Sequence, residues 1–417
     1  MSRNCNGHVI FSPVDYAAGG RSDAMTQYPK ASNRAVDDMP VNAVHEGRLH
    51  FFYNAGVKTW DVIITGGGII GLSLSIELRK RGASVLVVER GEPGREASYA
   101  AGGMLANCGD ETPRPLQALA TASAAMYPEF AHQLQDESGV NIDLRDQGTL
   151  LFPGPNHTTD SIKDAYPLSA PLAQLEPNLA AEGQPVVFLK ERSVCPRALV
   201  NAALRAAKHR GVDISSGTAV VSVDVSRGRA GGVTTDKTSY SSSAVVNCAG
   251  AWSGEVAPRA IPTRPVKGQM ICFAMPSREM LRHVIRSPEI YLIPRSDGRM
   301  LAGATVEEAG FDKRTVPETI QRLRHSAVNL VPALKEAKVL EAWAGLRPGT
   351  PDNLPILGKT EMPGYFVATG HFRDGILLAP VTARVMAQVM AKESSDYDLS
   401  DFSLARFAQQ GSRVARD

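Results

Sequence analysis

Residues 61–89 constrain the fold most. Asp61-Val62-Ile63-Ile64-Thr65 is a short apolar run with the form of a buried strand. Gly66-Gly67-Gly68-Ile69-Ile70-Gly71 follows it, satisfies G-x-G-x-x-G, and opens a helix predicted over 69–81. Gly82 stops that helix just beyond a last turn carrying Lys80 and Arg81. Ser84-Val85-Leu86-Val87-Val88-Glu89 is a second buried strand. Parallel strands joined through a helix need a right-handed crossover, so this is a βαβ unit. Gly66 permits the tight turn, Gly68 lets the backbone approach a pyrophosphate, and Gly71 lets the helix pack on the strands. The helix N-terminus at Ile69 and Ile70 presents N–H groups to phosphate oxygens. Glu89, about 20 residues on, can accept hydrogen bonds from an adenosine ribose, with Arg90 beside it. These residues encode a dinucleotide site without choosing between FAD and NAD. The run Ala97-Ser98-Tyr99-Ala100-Ala101-Gly102-Gly103-Met104 tips the choice to FAD, because small residues admit a second part of the cofactor.

A chain of 417 residues holds two domains, or one interrupted by another. Its formal charge of +2 draws it neither to nucleic acid nor to an anionic membrane. No apolar run reaches the roughly 18 residues of a spanning helix. Cys5, Cys108, Cys195, Cys248 and Cys272 are scattered without C-x-x-C spacing. That argues against a disulfide framework and a metal site, and fits a reducing, cytoplasmic location. Residues 1–59 are polar and aperiodic, and read as a disordered leader or an upstream-shifted start with Met25 and Met39 as internal candidates. They lack a signal peptide's apolar core, and their acidic residues argue against a transit peptide. A short strand at 50–53 is the alternative.

Beyond residue 89 the pattern changes. Short strands and Pro-rich loops occupy 142–190, a helix is expected over 196–210, and strands over 219–225 and 244–248. Strands and turns fill 264–305, with a hairpin around Asp297-Gly298. Helices are expected over 317–331 and 376–391. The expected class is α/β: a discontinuous Rossmann-type FAD-binding domain over 60–125, 190–262 and 340–400, with an antiparallel-sheet substrate domain interleaved over 126–189 and 263–339.

Two arginines suggest what the second domain binds. Arg347 lies in Gly345-Leu346-Arg347-Pro348-Gly349-Thr350-Pro351-Asp352, and Arg373 in Gly370-His371-Phe372-Arg373-Asp374-Gly375. Both read as turns built from Gly and Pro. A guanidinium on a rigid turn suits a carboxylate gripped by two parallel hydrogen bonds. With a dinucleotide site upstream, the pair can hold an acid against a cofactor.

Together with VVNCAGAWS, RPVKGQM, YLIPRSDGRMLAGATVE, WAGLRPGTPDNLPILG and GHFRDGILLAP, these motifs make residues 60–400 resemble the D-amino-acid-oxidase family of FAD-dependent amine oxidoreductases. Within it the chain is most similar to the glycine oxidases linked to bacterial thiamine biosynthesis. The resemblance implies oxidation of glycine, sarcosine or a small D-amino acid to the 2-oxo acid (glyoxylate from glycine), ammonia and hydrogen peroxide. Dioxygen is the acceptor it implies, and a homo-oligomer the assembly. Flavin N5 would take a hydride, so no catalytic side chain is named.

By position, Arg347 would pair with the substrate carboxylate, and Tyr291 would donate to it or close the pocket. Arg373 would lie near substrate and flavin. His371, Phe372, Arg373, Asp374, Gly375, Ile376 and Leu377 would wrap the isoalloxazine edge. A helix starting near Ile376 would point its N-terminus at the flavin C2 carbonyl. Val220 would reach the adenosine from a second βαβ-like segment. Met104 would touch the flavin or fill the core. His371 reads as a general base or, more ordinarily, a hydrogen-bond partner of backbone or flavin. Lys267 reads as an activated amine or, more ordinarily, a solvated lysine before a turn. Covalent-flavin relatives use a cysteine near the T-P-D turn, and none lies between 273 and 417, so the FAD should be noncovalent. Relatives often carry Asn where this chain has Asp374, whose carboxylate would oppose charge on reduced flavin. The rivals are a D-amino-acid dehydrogenase passing electrons to a quinone, a non-catalytic FAD-binding subunit, and an NAD-dependent dehydrogenase.

Overall fold

The computed structural model describes residues 58–109, 112–155 and 158–407. The expected leader, apart from its last two residues, and the alternative strand at 50–53 lie outside them. Two eight-stranded sheets carry the structure. At the centre of the first, Thr59–Thr65 pairs in parallel with Val85–Glu89 on one side and Ser239–Asn247 on the other. All five residues of Val85–Glu89 are buried, as expected for a strand covered on both faces. Val62, Ile64, Val85 and Val87 face one core, and Ile63, Leu86 and Val88 face another. Asp213–Ser216 and Tyr365–Thr369 extend the parallel pairing outward.

Helices Ile69–Lys80, Gln117–Ser138, Pro196–His209 and Ala379–Met390 contribute to the first of these cores. The opposite core includes Val223, Ala230 and Val233, from the strands Val220–Ser226 and Arg229–Thr235. Those two strands form an antiparallel meander with Ser239–Asn247. The βαβ-like segment expected around Val220 is therefore a meander, because Arg227-Gly228 turns the chain back directly, with both residues at positive φ.

The second sheet runs Val339–Gly349, Arg264–Ala274, Arg299–Gly303, Tyr291–Pro294, Val284–Arg286, Thr149–Leu151, Val187–Leu189, Ala165–Tyr166. It is antiparallel except where Val284–Arg286 meets Thr149–Leu151. The expected hairpin is present, with Gly298 at φ 89° in its turn. Val339–Gly349 pairs along its length with Arg264–Ala274. The chain thus leaves this sheet only after residue 349, not at 340.

Helix Gln117–Ser138 carries little signal in the sequence. Its inward residues, Leu119, Ala120, Ser123, Ala124, Tyr127, Ala131 and Leu134, recur at helical spacing but are mostly small. Pro128 inside it cannot donate to the Ala124 carbonyl. Arg192 Nη1 donates to that carbonyl instead, at 3.5 Å. The helix belongs to the same core as Ile69–Lys80, so it lies across the boundary expected at 125/126.

Candidate active site

A cavity of about 640 Å3 is lined from both sheets, within the roughly 300–1,000 Å3 typical of small-molecule sites. Its nucleotide end is built by the glycine turn. Gly66 has φ 103°, and a Cβ there would meet the Cys248 carbonyl oxygen at 2.5 Å. A Cβ on Gly71 would strike the Gly66 carbonyl, so Gly71 serves packing and does not line the cavity. The Glu89 carboxylate is buried and accepts from Gly67 N at 2.7 Å and Gly91 N at 2.9 Å. Each of its oxygens keeps a further lone pair for a ribose hydroxyl. Ser98 Oγ accepts from Ile69 N at 3.0 Å, at the opening of the helix. Arg90 lies 4.5 Å from the ring centre of Trp252, and both line the wall with Val220 and Ala97.

Gly102 and Gly103 line the cavity too, but the protein itself requires them. A Cβ on Gly102 would meet Ile293 Cδ1 at 2.8 Å, and one on Gly103 would strike the Val194 carbonyl. Met104 lines the cavity and packs beside the cluster of Met270, Cys272 and Ile293.

At the other end stands Arg347. It sits in the strand Val339–Gly349, opposite Val266, not in a turn as expected. Pairing with Arg264–Ala274 carries the strand through the Gly and Pro residues that suggested a turn. Its Nη1 donates to the Thr305 carbonyl at 3.0 Å and the Lys267 carbonyl at 3.4 Å. The guanidinium fills space that a side chain at Gly268 would occupy. Burial pushes its pKa down and neighbouring Arg373 adds to this, while Tyr291 and Glu307 oppose it. Burial raises the Tyr291 hydroxyl, and the Arg347 and Arg373 charges pull it back. That hydroxyl also lies 3.8 Å from Met270 Sδ.

Residues 370–378 bring the second arginine alongside. Phe372 has φ 44° and donates from its N to the Pro348 carbonyl at 3.0 Å, tying this turn to the Arg347 strand. Arg373 is exposed at the cavity wall, with Asp374, Gly375 and Ile376 following it there. The last helix begins at Ala379, not near Ile376, with Pro380 in its first turn. Residues 374–378 form a preceding turn, closed by Leu378 N donating to the Asp374 carbonyl at 2.8 Å. Leu377 points into the core instead of the cavity. The overlooked helix holds this turn: Ser123 Oγ donates to the Leu377 carbonyl and Tyr127 hydroxyl to the Ile376 carbonyl, each at 2.6 Å.

Two residues take more definite roles. His371 is buried, its Nε2 lies 3.1 Å from Thr382 Oγ1, and burial lowers its pKa to about 3. It is therefore neutral near pH 7. Lys267 is neither a solvated lysine nor a group on the cavity wall. It is 2% exposed within the strand Arg264–Ala274, with Nζ 3.9 Å from Glu307 Oε2. The sequence reading named no role for Trp252, Met270, Gly303, Arg286 or Glu96 in the wall. The first three lie within motifs already singled out, whereas Arg286 and Glu96 carry no local signal.

The arrangement fits FAD. The glycine turn, the open acceptor sites of Glu89 and the small-residue wall can hold its dinucleotide, and the 371–376 turn meets the same cavity. Comparison with known proteins agrees. Residues 61–389 match the family model described as FAD dependent oxidoreductase. The glycine oxidase of Geobacillus kaustophilus is 33% identical, over 83% of this chain and 97% of its own length. Its crystal structure superposes with a TM-score of 0.77 at 30% identity, covering 84% of this chain and 99% of that one. The bifunctional protein ThiO/ThiG of Trichormus variabilis is 36% identical over 85% of this chain, which spans 56% of that longer protein. The hydrogen cyanide synthase subunit HcnC of Pseudomonas aeruginosa is 32% identical over 86% of this chain and 99% of its own. Thus the chain belongs to the FAD-dependent oxidoreductases of the D-amino-acid-oxidase family, and FAD is its cofactor.

Proposed function

We propose that this protein oxidises glycine, or sarcosine or a small D-amino acid, to the 2-oxo acid and ammonia (methylamine from sarcosine), with water hydrolysing the imine and dioxygen reduced to hydrogen peroxide. One observation carries the reading. Arg347 brings a positive charge to the cavity wall, and its hydrogen bonds from Nη1 go to carbonyls. Among the described residues no carboxylate forms an ion pair with it. A guanidinium held in this way is prepared for an incoming carboxylate. The likeness to a glycine oxidase supports a small amino acid as substrate.

Bound FAD supplies the two-electron acceptor. Arg347 fixes the substrate carboxylate and so limits where Cα can lie. Tyr291, beside it, donates to the same carboxylate or closes the wall behind it. His371, held neutral by burial and turned to Thr382, is a weak base, and we give it no part in proton transfer. Arg373, exposed at the mouth, serves as a gate or second contact. The same reading places the product in thiamine thiazole synthesis. The likeness to a hydrogen cyanide synthase subunit favours one other reading, a component of a larger complex, which we take to pass electrons to an acceptor other than dioxygen. A panel of small amino acids assayed for peroxide separates the two. Peroxide equal to substrate consumed supports the oxidase; turnover with an artificial acceptor but without peroxide supports the other.

A further inference from the structure

Arg347 is held by a segment that the proposed reaction does not otherwise use. Residues 304–316 leave strand Arg299–Gly303 and return at helix Pro317–Leu330. The fully buried Gln269 pins both ends. Its Nε2 donates to Glu307 Oε1 at 2.8 Å, and its Oε1 accepts from Val316 N at 2.7 Å. Gln269 N donates to Thr305 Oγ1 at 2.9 Å, and that hydroxyl donates in turn to Glu307. Main-chain bonds between Glu307 and Lys267, at 2.8 and 2.9 Å, complete the clasp. The carbonyl held by this clasp is that of Thr305, the one Arg347 Nη1 donates to at 3.0 Å. Further along, Phe311 stacks on Trp252 with ring centres 5.3 Å apart, and Lys313 pairs with Glu96 at 2.9 Å. Trp252 and Glu96 both line the cavity. The segment is thus a strap anchored at both ends of the site.

We propose that Glu307 is a positioning residue for Arg347. Its carboxylate gathers the Thr305 hydroxyl and the Gln269 amide, and thereby fixes the strap carbonyl that orients the guanidinium. Without that acceptor the buried Gln269 amide and the half-buried Thr305 hydroxyl lose their partner and the strap relaxes. The affinity of the site for a carboxylate then falls, while the chemistry of a bound substrate is unchanged. The proposal rests on Arg347 being the carboxylate anchor.

The test uses the FAD-loaded full chain and acetate as a carboxylate probe, titrated through the flavin spectrum, alongside glycine turnover. Glu307→Ala is expected to raise the acetate Kd and the glycine KM about tenfold, with kcat within about twofold and FAD retained. Glu307→Gln keeps the acceptor oxygen and is expected to stay within about twofold of the unmodified protein. If both variants weaken acetate equally, charge acts and not the hydrogen-bonded clasp, and the proposal fails. It also fails if neither does. Thr305→Val removes the linking hydroxyl at nearly constant shape; should Glu307→Ala not fold, this variant must show the same weakening. Arg347→Met separates the two levels. Unchanged acetate affinity there overturns the anchor itself, whereas a loss there with none in Glu307→Ala overturns only the positioning role.

Discussion

Arg347 loses water on entering the wall and recovers part of the loss from two carbonyls and Tyr291. The rest is available to a substrate carboxylate. A charge-assisted bond of this kind contributes about 1.5–3 kcal/mol, so Arg347→Met should raise the glycine KM at least about tenfold. The FAD spectrum should persist, because the glycine turn and Glu89, not Arg347, would hold the dinucleotide. Steady-state kinetics on the FAD-loaded variant checks both. His371 gives a prediction about pH. Its folded pKa, about 3, lies below the ordinary value of 6.5. Between those values the unfolded chain binds a proton that the folded chain does not. Stability from this residue is therefore complete above about pH 6.5 and is lost as pH falls toward 3, at up to about 1.4 kcal/mol per pH unit. His371→Gln should flatten that part of a denaturation-versus-pH curve; an unchanged slope would show that the imidazole is not held neutral.

Elements with a strong period were legible in the sequence, and those built from small residues were not. The glycine turn, its strands and the 317–331 helix each announce themselves through spacing. Gln117–Ser138 escaped because alanines and serines give little contrast between its faces and Pro128 argues locally against a helix. Arg192, distant in sequence, donates to the carbonyl that Pro128 leaves open. Arg347 was legible as a residue but not as part of a strand, since its strand depends on the partner Arg264–Ala274. The helix that was passed over now explains a feature of the site: its Tyr127 and Ser123 hold the carbonyls of the turn before the last helix. Tyr127→Phe leaves the Ile376 carbonyl with the longer bond from Ala379 N at 3.3 Å and should cost about 0.5–1.5 kcal/mol. Urea denaturation should show a lower midpoint at constant m.

At the scale of the molecule, the two sheets meet at one cavity, and neither alone contains a complete site. The first supplies the glycine turn, Glu89 and the turn at 371–376. The second supplies Arg347, Tyr291 and the strap. Val339–Gly349 pairs in the second sheet and Gln117–Ser138 packs into the core of the first, unlike the division expected from sequence, because strand pairing and helix packing are set by residues far apart in the chain. The proposal joins the halves: an amino acid anchored through its carboxylate by the second sheet is oxidised at its Cα–N bond by FAD held by the first. Anaerobic mixing of the FAD-loaded protein with glycine, followed in the flavin visible band, tests it most directly. Bleaching is expected, with one glyoxylate formed per FAD, and peroxide on admitting air. A band that glycine, sarcosine and small D-amino acids all leave unbleached would contradict it.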